Sequence, residues 1–155
     1  MKKNPDLVTR ADVLNSSKEE DWPTNQEWFN EWNSEFHFTL DAAANHVNHK
    51  CAKYYTVETS GLTNTWHGER VFINPPYNNM YEWVKKAHDE CFTNGVFSVM
   101  FGPVRTQNNY WHDFVWDETI HRFRPCVSVR FLRRMQFADS AGACPFGLML
   151  LIHQP

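Results

Sequence analysis

The chain has 155 residues, of which 42% are hydrophobic and 15% aromatic, a composition that excludes a disordered chain and is typical of a globular protein with one core. No apolar run approaches the roughly 20 residues that a transmembrane helix needs, and the start MKKNPDLVTR lacks the apolar segment of a secretory signal. We therefore expect a soluble, cytoplasmic protein that does not bind membranes.

The formal net charge of −3 is unevenly distributed along the chain. Residues 1–41 carry nine acidic and four basic side chains, whereas residues 42–155 carry nine acidic and eleven basic ones. Between residues 119 and 138 there is no Asp or Glu, but there are five arginines: Arg122, Arg124, Arg130, Arg133 and Arg134. This segment can form a positive face on an acidic protein. The alternative is an ordinary solvated strand face, because the first three of these arginines follow the alternation of a strand.

The first elements in chain order are an arm and a helix. Residues 1–21 are polar and are interpreted as an N-terminal arm. Thr24 is predicted to be the N-cap of a helix, with Glu27 three residues later completing a capping box. The helix presents aromatic side chains at helical spacing, and these indicate a buried face: Trp28, Phe29, Trp32 and Phe36.

The rest of the chain alternates between predicted strands and helices. Strands are predicted over 38–40, 71–73, 96–102, 119–123, 127–132 and 146–152, and helices over 78–95 and 107–117. Residues 45–70 are polar and irregular, and Gly61 and Gly68 interrupt them. Strands that alternate with helices indicate one α/β domain, residues 22–155, in which helices cover the faces of a sheet.

The four cysteines are predicted to be free thiols. Cys51, Cys91, Cys126 and Cys144 form no C-x-x-C pair, and no secretion signal accompanies them. The dipeptide Pro125-Cys126 could supply a nucleophile, but we expect Cys126 to be a small buried side chain instead.

A zinc-dependent nucleic-acid binder is an alternative class. His46, His49 and Cys51 form H-x-x-H-x-C, and His67 is nearby. Structural zinc sites normally have four ligands in tighter pairs, usually with C-x-x-C. We therefore predict no metal site.

The stretch INPPY, residues 73–77, carries the most specific chemistry. It follows an apolar strand, and polar groups at the carboxyl end of a strand are where α/β sheets form sites. Two prolines stiffen the backbone, while Asn74 adds a side-chain carbonyl and Tyr77 an aromatic ring. Such acceptors suit a flat group that bears an NH₂, although a double proline can also form an ordinary turn.

Asn-Pro-Pro-Tyr after a strand resembles the catalytic motif of amino-methyltransferases that use S-adenosylmethionine. These act on DNA adenine, protein glutamine or ribosomal RNA guanine, so the motif alone implies a reaction type. From about residue 22 to 152 the chain resembles the phage-type Dam family of DNA N6-adenine methyltransferases. The resemblance is carried by the blocks DWPTNQEWF, FHFTLDAAA, CAKYYT, GLTNTW, VFINPPY, WVKKA, GPVRTQNNYWHD and RFLRRMQF…CPFGLMLL. Thr24-Asn25 departs from the family, which usually has Thr-Pro there.

This resemblance implies a compact class I (Rossmann-like) sheet with helices on both faces and S-adenosylmethionine as cofactor. It places the cofactor at Trp22, Pro23, Thr24, Asp41, Ala42, Ala43 and Asn74, although Asp41 could instead cap a helix. The chemistry is placed at Asn74, Pro75, Pro76 and Tyr77. Asn74 and Pro75 would accept the N6 hydrogens of a flipped adenine, and Tyr77 would stack on the base.

The implied partner is double-stranded DNA, contacted by Arg105 and by the five arginines between 119 and 138. Only about five residues separate Trp66 from the NPPY strand, so no separate target-recognition domain is expected. The resemblance further implies a phage or prophage protein in a bacterial host, acting as a monomer or homodimer. RNA or a protein glutamine is the alternative substrate, and a DNA binder without catalysis is a further alternative.

Overall fold

In a computed structural model the chain is a mixed α/β protein, and the structure describes residues 22–136 and 144–155. The helices are α1 (Gln26–Phe36) and α2 (Met80–Asn94). The strands are β1 (Leu40–Asp41), β2 (Lys53–Tyr54), β3 (Arg70–Ile73), β4 (Phe97–Pro103), β5 (Trp116–Asp117), β6 (Arg122–Phe123), β7 (Val127–Phe131) and β8 (Leu148–His153). A 3-10 turn (Tyr77–Asn79) precedes α2, and a π-helical turn (Trp111–Val115) precedes β5. The predicted arm, residues 1–21, lies outside the described residues.

The strands form a six-stranded sheet in the order β2-β1-β3-β4-β8-β7, and β5 and β6 form a separate hairpin. Strands β2, β1, β3 and β4 are parallel to one another, whereas β8 is antiparallel to both β4 and β7. The carboxyl ends of β1, β3 and β4 therefore meet at one edge, which we call the carboxyl edge. The turn that begins at Asn74 leaves the sheet there.

Helices cover both faces of the sheet, as predicted. Alternate residues of β3 point to opposite sides: Val71 and Ile73 pack with α2, and Phe72 packs with α1. The predicted apolar face of α2 is confirmed as buried, and it consists of Met80, Trp83, Val84, Ala87 and Cys91. Gly95 ends this helix in the left-handed conformation, with φ at 64°, which glycine adopts without strain. No helix in the described part of the chain is long and apolar enough to cross a membrane.

The predicted start of α1 is wrong by one residue. Asn25, not Thr24, is the N-cap, and its side chain accepts a hydrogen bond from the Glu27 backbone N–H at 2.8 Å. Because an asparagine caps a helix as well as a threonine does, Asn25 leaves the Thr24 hydroxyl available for another contact. Thr24 is buried.

Three further predictions are corrected. The stretch 45–70 contains β2 and a fully buried indole, Trp66. The helix predicted over 107–117 is a π-helical turn that ends where β5 pairs with β6. Cys126 is exposed, and not buried, because it lies at a left-handed turn (φ 63°) before the edge strand β7. The described cysteines are all free thiols, as predicted.

The stability of the protein should fall in mild acid because of His153. Both ring nitrogens of His153 are buried without a hydrogen-bond partner, and burial, with His88 nearby, lowers its pKa to about 3. In the unfolded chain this pKa is about 6.5. Below that pH the unfolded state binds a proton that the native state excludes, so stability is complete above about pH 6.5 and is lost towards pH 3.

Urea unfolding at pH 7.5 and pH 5 measures this effect. We expect the wild type to lose about 2 kcal/mol at pH 5 through His153, and His153→Leu to lack that loss. The exposed His67 provides the control, since His67→Gln should retain the wild-type pH dependence. Equal pH dependence in the wild type and His153→Leu would refute the assignment.

Candidate active site

Two cavities flank the turn after β3. The first cavity, of about 340 Å³, lies at the carboxyl ends of β1, β2 and β3, and a second, of about 540 Å³, lies on the other side of the turn. Five residues predicted to bind the cofactor line the first cavity: Pro23, Thr24, Asp41, Ala43 and Asn74. Trp22 and Ala42 do not line it. Pro76 lines the first cavity, Tyr77 lines the second, and the buried Pro75 lines neither.

The side chain of Asn74 is held in one orientation. Its Nδ2 donates to the carbonyl oxygen of Trp22 at 2.7 Å and to Oγ1 of Thr24 at 3.0 Å. A backbone carbonyl can only accept, so the amide nitrogen has to face Trp22. Both Nδ2 hydrogens are thereby used, and no donor among the described residues is bonded to Asn74 Oδ1. This oxygen is left as an acceptor at the wall of the first cavity.

Asp41 organises the loop that follows β1. Its carboxylate is buried and accepts backbone N–H bonds from Lys50 at 2.9 Å and from Ala43 at 3.4 Å. Burial raises the pKa of this carboxyl group, and the Lys50 N–H bond opposes the rise. No helix follows Asp41, so it is not a helix N-cap. The loop 42–50 that it holds forms one wall of the first cavity.

Several residues of the first cavity were not identified from sequence. They include Lys50, Thr56, Ser60, Gly61, Asn79 and Trp83. Gly61 packs directly on the backbone of the Asp41 loop, since a Cβ built on it would lie 2.0 Å from the Ala42 carbonyl oxygen. The buried Trp66 donates its indole N–H to the Gly61 carbonyl at 2.9 Å. Gly61 was noted only as a break in an irregular stretch, and its close approach is a tertiary feature.

Tyr77 is enclosed by aromatic and cationic neighbours. Its ring meets the ring of Phe146 edge-on at 6.0 Å, and its hydroxyl is buried without a hydrogen-bond partner. Burial raises the pKa of this hydroxyl well above its usual value. Arg105 Nη1 donates to the Tyr77 carbonyl at 3.0 Å, which places Arg105 at the carboxyl edge as predicted. Phe146, which also contacts Trp22, was not identified from sequence.

The five arginines between 119 and 138 are not brought together. Arg122 and Arg124 precede β7 and lie near the opposite edge, where Arg124 donates to the His112 carbonyl at 2.7 Å. Arg130 pairs with both carboxylate oxygens of Glu35, at 2.8 and 2.6 Å. Arg133 and Arg134 directly follow β7 at the carboxyl edge and are exposed.

The thiols and histidines do not assemble a second type of site in the described part of the chain. No group of three His, Cys, Asp or Glu side chains there could hold a metal ion. His49 stacks on Tyr54 with ring centroids 4.1 Å apart, and burial raises the pKa of Cys51 to about 12, which disfavours the thiolate that binds zinc. Cys126 precedes β7 and lies at the edge of the sheet opposite Asn74.

The sequence of this chain is similar to those of known proteins. The family described as DNA N-6-adenine-methyltransferase (Dam) matches residues 12–139. A DNA N-6-adenine-methyltransferase of Escherichia phage T1 is 36% identical over 64 residues, which are 41% of this chain and 27% of that relative. The matched part thus spans about a quarter of the length of the relative.

Proposed function

The chain belongs to the Dam family of DNA N-6-adenine-methyltransferases, as its sequence blocks indicated, and from this premise we propose its reaction. The protein transfers the methyl group of S-adenosylmethionine to N6 of an adenine that is flipped out of double-stranded DNA. The observation that carries this proposal is the anchored amide of Asn74, whose Oδ1 is left as an acceptor beside the first cavity. The mainly parallel sheet, with this residue at its carboxyl edge, supports a compact class I methyltransferase fold.

The residues of the first cavity fit S-adenosylmethionine. Its volume of about 340 Å³ is within the range of small-molecule sites. Lys50 offers a cation to a carboxylate, Asp41 a buried acceptor, and Leu62 and Trp83 an apolar wall. When bound, S-adenosylmethionine supplies an electrophilic methyl group. We place it in this cavity, beside Asn74 and Pro76.

The protein groups act on the amino group of the target base. Asn74 Oδ1 and the Pro75 carbonyl accept the two N6 hydrogens, which draws the nitrogen lone pair out of conjugation with the ring. The two prolines keep these acceptors fixed, so that little reorganisation is needed during transfer. Tyr77 stacks on the base. Transfer would be a direct displacement, in which the bond from N6 to the methyl carbon forms as the methyl–sulfur bond breaks, and N6 would release one proton to solvent. Positioning is the main contribution of the protein, and no protein nucleophile takes part.

The proposal is tested by methyl transfer from radiolabelled S-adenosylmethionine to duplex DNA, followed by nucleoside analysis. We expect label in N6-methyladenine. Equal amounts of RNA and of protein acceptors serve as parallel substrates. Label in RNA or protein but not in DNA would overturn the assignment of DNA as the substrate. It would leave the proposed amino-methyltransferase reaction intact. The absence of label from all three acceptors, with the cofactor bound, would overturn the function.

Thr24 is predicted to position the catalytic amide. Thr24→Val removes the hydroxyl that accepts from Asn74 Nδ2 and keeps the side-chain volume. The amide then loses one of its two anchors, and we expect kcat to fall about tenfold, the value of one hydrogen bond. Thr24→Ser retains the hydroxyl and should restore most of kcat. If both variants lowered kcat equally, the orienting role would be refuted.

Arg133 and Arg134 are predicted to contact DNA phosphates. Replacing both with alanine should weaken DNA binding and reduce the slope of log K against log salt concentration by about two, since each phosphate contact contributes about 0.9. Arg122→Ala is the matched control, because this exposed arginine lies near the other edge of the sheet. A slope changed by Arg122→Ala and not by the double variant would move the DNA site to the opposite edge.

A further inference from the structure

The second cavity is an open polar cleft on the far side of the Asn-Pro-Pro-Tyr turn. Its floor includes Tyr77 and Tyr110, and its rim carries side-chain amides from the loop after β4: Gln107, Asn108 and Asn109. We propose that this cleft holds the base pairs next to the target adenine, and that these three amides select the recognition sequence through contacts to base edges. The inference rests on the proposed function and goes further, because it assigns residues to sequence recognition.

The three amides are not used to stabilise the fold in the described structure. No described residue is hydrogen-bonded to the side chain of Gln107, Asn108 or Asn109. Many other amides of the described residues are engaged locally, for example Asn33 with the Phe38 N–H and Asn94 with the Glu90 carboxylate. The side-chain N–H donors and carbonyl acceptors of these three amides can therefore form hydrogen bonds with a ligand.

The loop that carries them is held in place by the catalytic turn and the sheet. Arg105 Nη1 donates to the Tyr77 carbonyl at 3.0 Å, and the Val104 N–H donates to the Gly147 carbonyl at 2.8 Å. Within the loop the Asn108 N–H donates to the Arg105 carbonyl, and the Trp111 N–H to the Asn108 carbonyl. Because these hydrogen bonds hold the loop, its side chains lie at a fixed distance from Asn74. Recognition of neighbouring bases requires such fixed positions.

The charge of the cleft suits nucleic acid. Arg105 is the charged residue that lines it, and no Asp or Glu does. At its rim the Tyr81 hydroxyl donates a hydrogen bond to Oδ2 of Asp113 at 3.0 Å. The lining itself, amides and tyrosines beside one arginine, adds no negative charge to oppose a phosphodiester chain.

Side-chain amides are the groups that recognise adenine most directly. Asn and Gln form a bidentate pair with N6 and N7 in the major groove, where each base pair presents a distinct pattern of donors and acceptors. A flat protein amide therefore discriminates between bases, which a cation on a phosphate cannot do. The cleft, of about 540 Å³, is open to solvent along one side.

The test uses the full-length protein and duplexes in which the positions flanking the target adenine are randomised. We expect Gln107→Ala, Asn108→Ala or Asn109→Ala to relax the preference at one flanking position by roughly 5- to 150-fold, the discrimination of one bidentate pair. Binding of S-adenosylmethionine should be unchanged. The matched control is Gln154→Ala, an exposed amide near the opposite edge of the sheet, which should leave the preference as in the wild type.

The outcomes separate this inference from the proposed function. If the wild type methylates DNA and all three variants keep its sequence preference, the cleft does not read the bases. A uniform loss of rate on every sequence would also overturn the inference, because it indicates a phosphate or structural role. If the wild type methylates no DNA, the proposed function fails, and the inference fails with it. Should Asn108→Ala unfold, the exposed Gln107 and Asn109 still decide the question.

Discussion

Asn74→Ala is expected to reduce methyl transfer by roughly 10²–10³-fold or more, which is the usual cost of removing one hydrogen-bonding group aimed at the reacting centre. The variant loses Oδ1, the acceptor that Trp22 and Thr24 hold in place. The Pro75 carbonyl remains, but one acceptor cannot align both N6 hydrogens. Binding of S-adenosylmethionine should change only a few-fold, since most of the first cavity comes from other segments. Single-turnover transfer and calorimetric binding measure the two effects separately.

Asn79→Ala is the matched control for this variant. Asn79 also lines the first cavity and lies a few residues further along the same turn, but no acceptor role is assigned to it. We expect it to retain transfer within a few-fold of the wild type. Transfer by Asn74→Ala within tenfold of the wild type would remove Asn74 from the mechanism.

Gly61→Ala is expected to cause the second large effect, on the first cavity itself. The added Cβ would lie 2.0 Å from the Ala42 carbonyl oxygen and 3.0 Å from Cη2 of Trp83. The first contact is with backbone and cannot be relieved by a side-chain rotation, so the loop that contains Gly61 has to move. Overpacking usually costs 1–3 kcal/mol, and we expect about 3 kcal/mol here. We also expect the affinity for S-adenosylmethionine to fall at least tenfold.

Gly68→Ala makes the same chemical change at a position without neighbours. Its built Cβ meets nothing within 4 Å, although its φ of +81° adds strain of about 1–2 kcal/mol. Chemical unfolding and cofactor titration of both variants compare the two glycines. We expect Gly68→Ala to bind S-adenosylmethionine like the wild type. If Gly61→Ala did so as well, the two loops would not form the cofactor site.

The sequence by itself determined the family and most of the principal elements. The aromatic positions of α1 and the apolar face of α2 follow a helical period, and β3, β4 and β8 read as buried apolar runs. Such patterns are local, so they can be recognised without knowing the neighbours. The same is true of residues 74–77, in which two prolines and an amide limit what the backbone can do. These features were sufficient for the α/β class and for the family.

Only the tertiary structure decided how the site is assembled. The orientation of Asn74 depends on Trp22, which lies 52 positions earlier in the chain. The Thr24 hydroxyl can accept a hydrogen bond from Asn74 because Asn25, and not Thr24, is the N-cap of α1. Gly61 has its role because the Asp41 loop packs against it. The arginines that follow one another in sequence are separated because β7 carries the chain from one edge of the sheet to the other. Contacts between distant segments depend on strand order and register, which local periodicity does not encode.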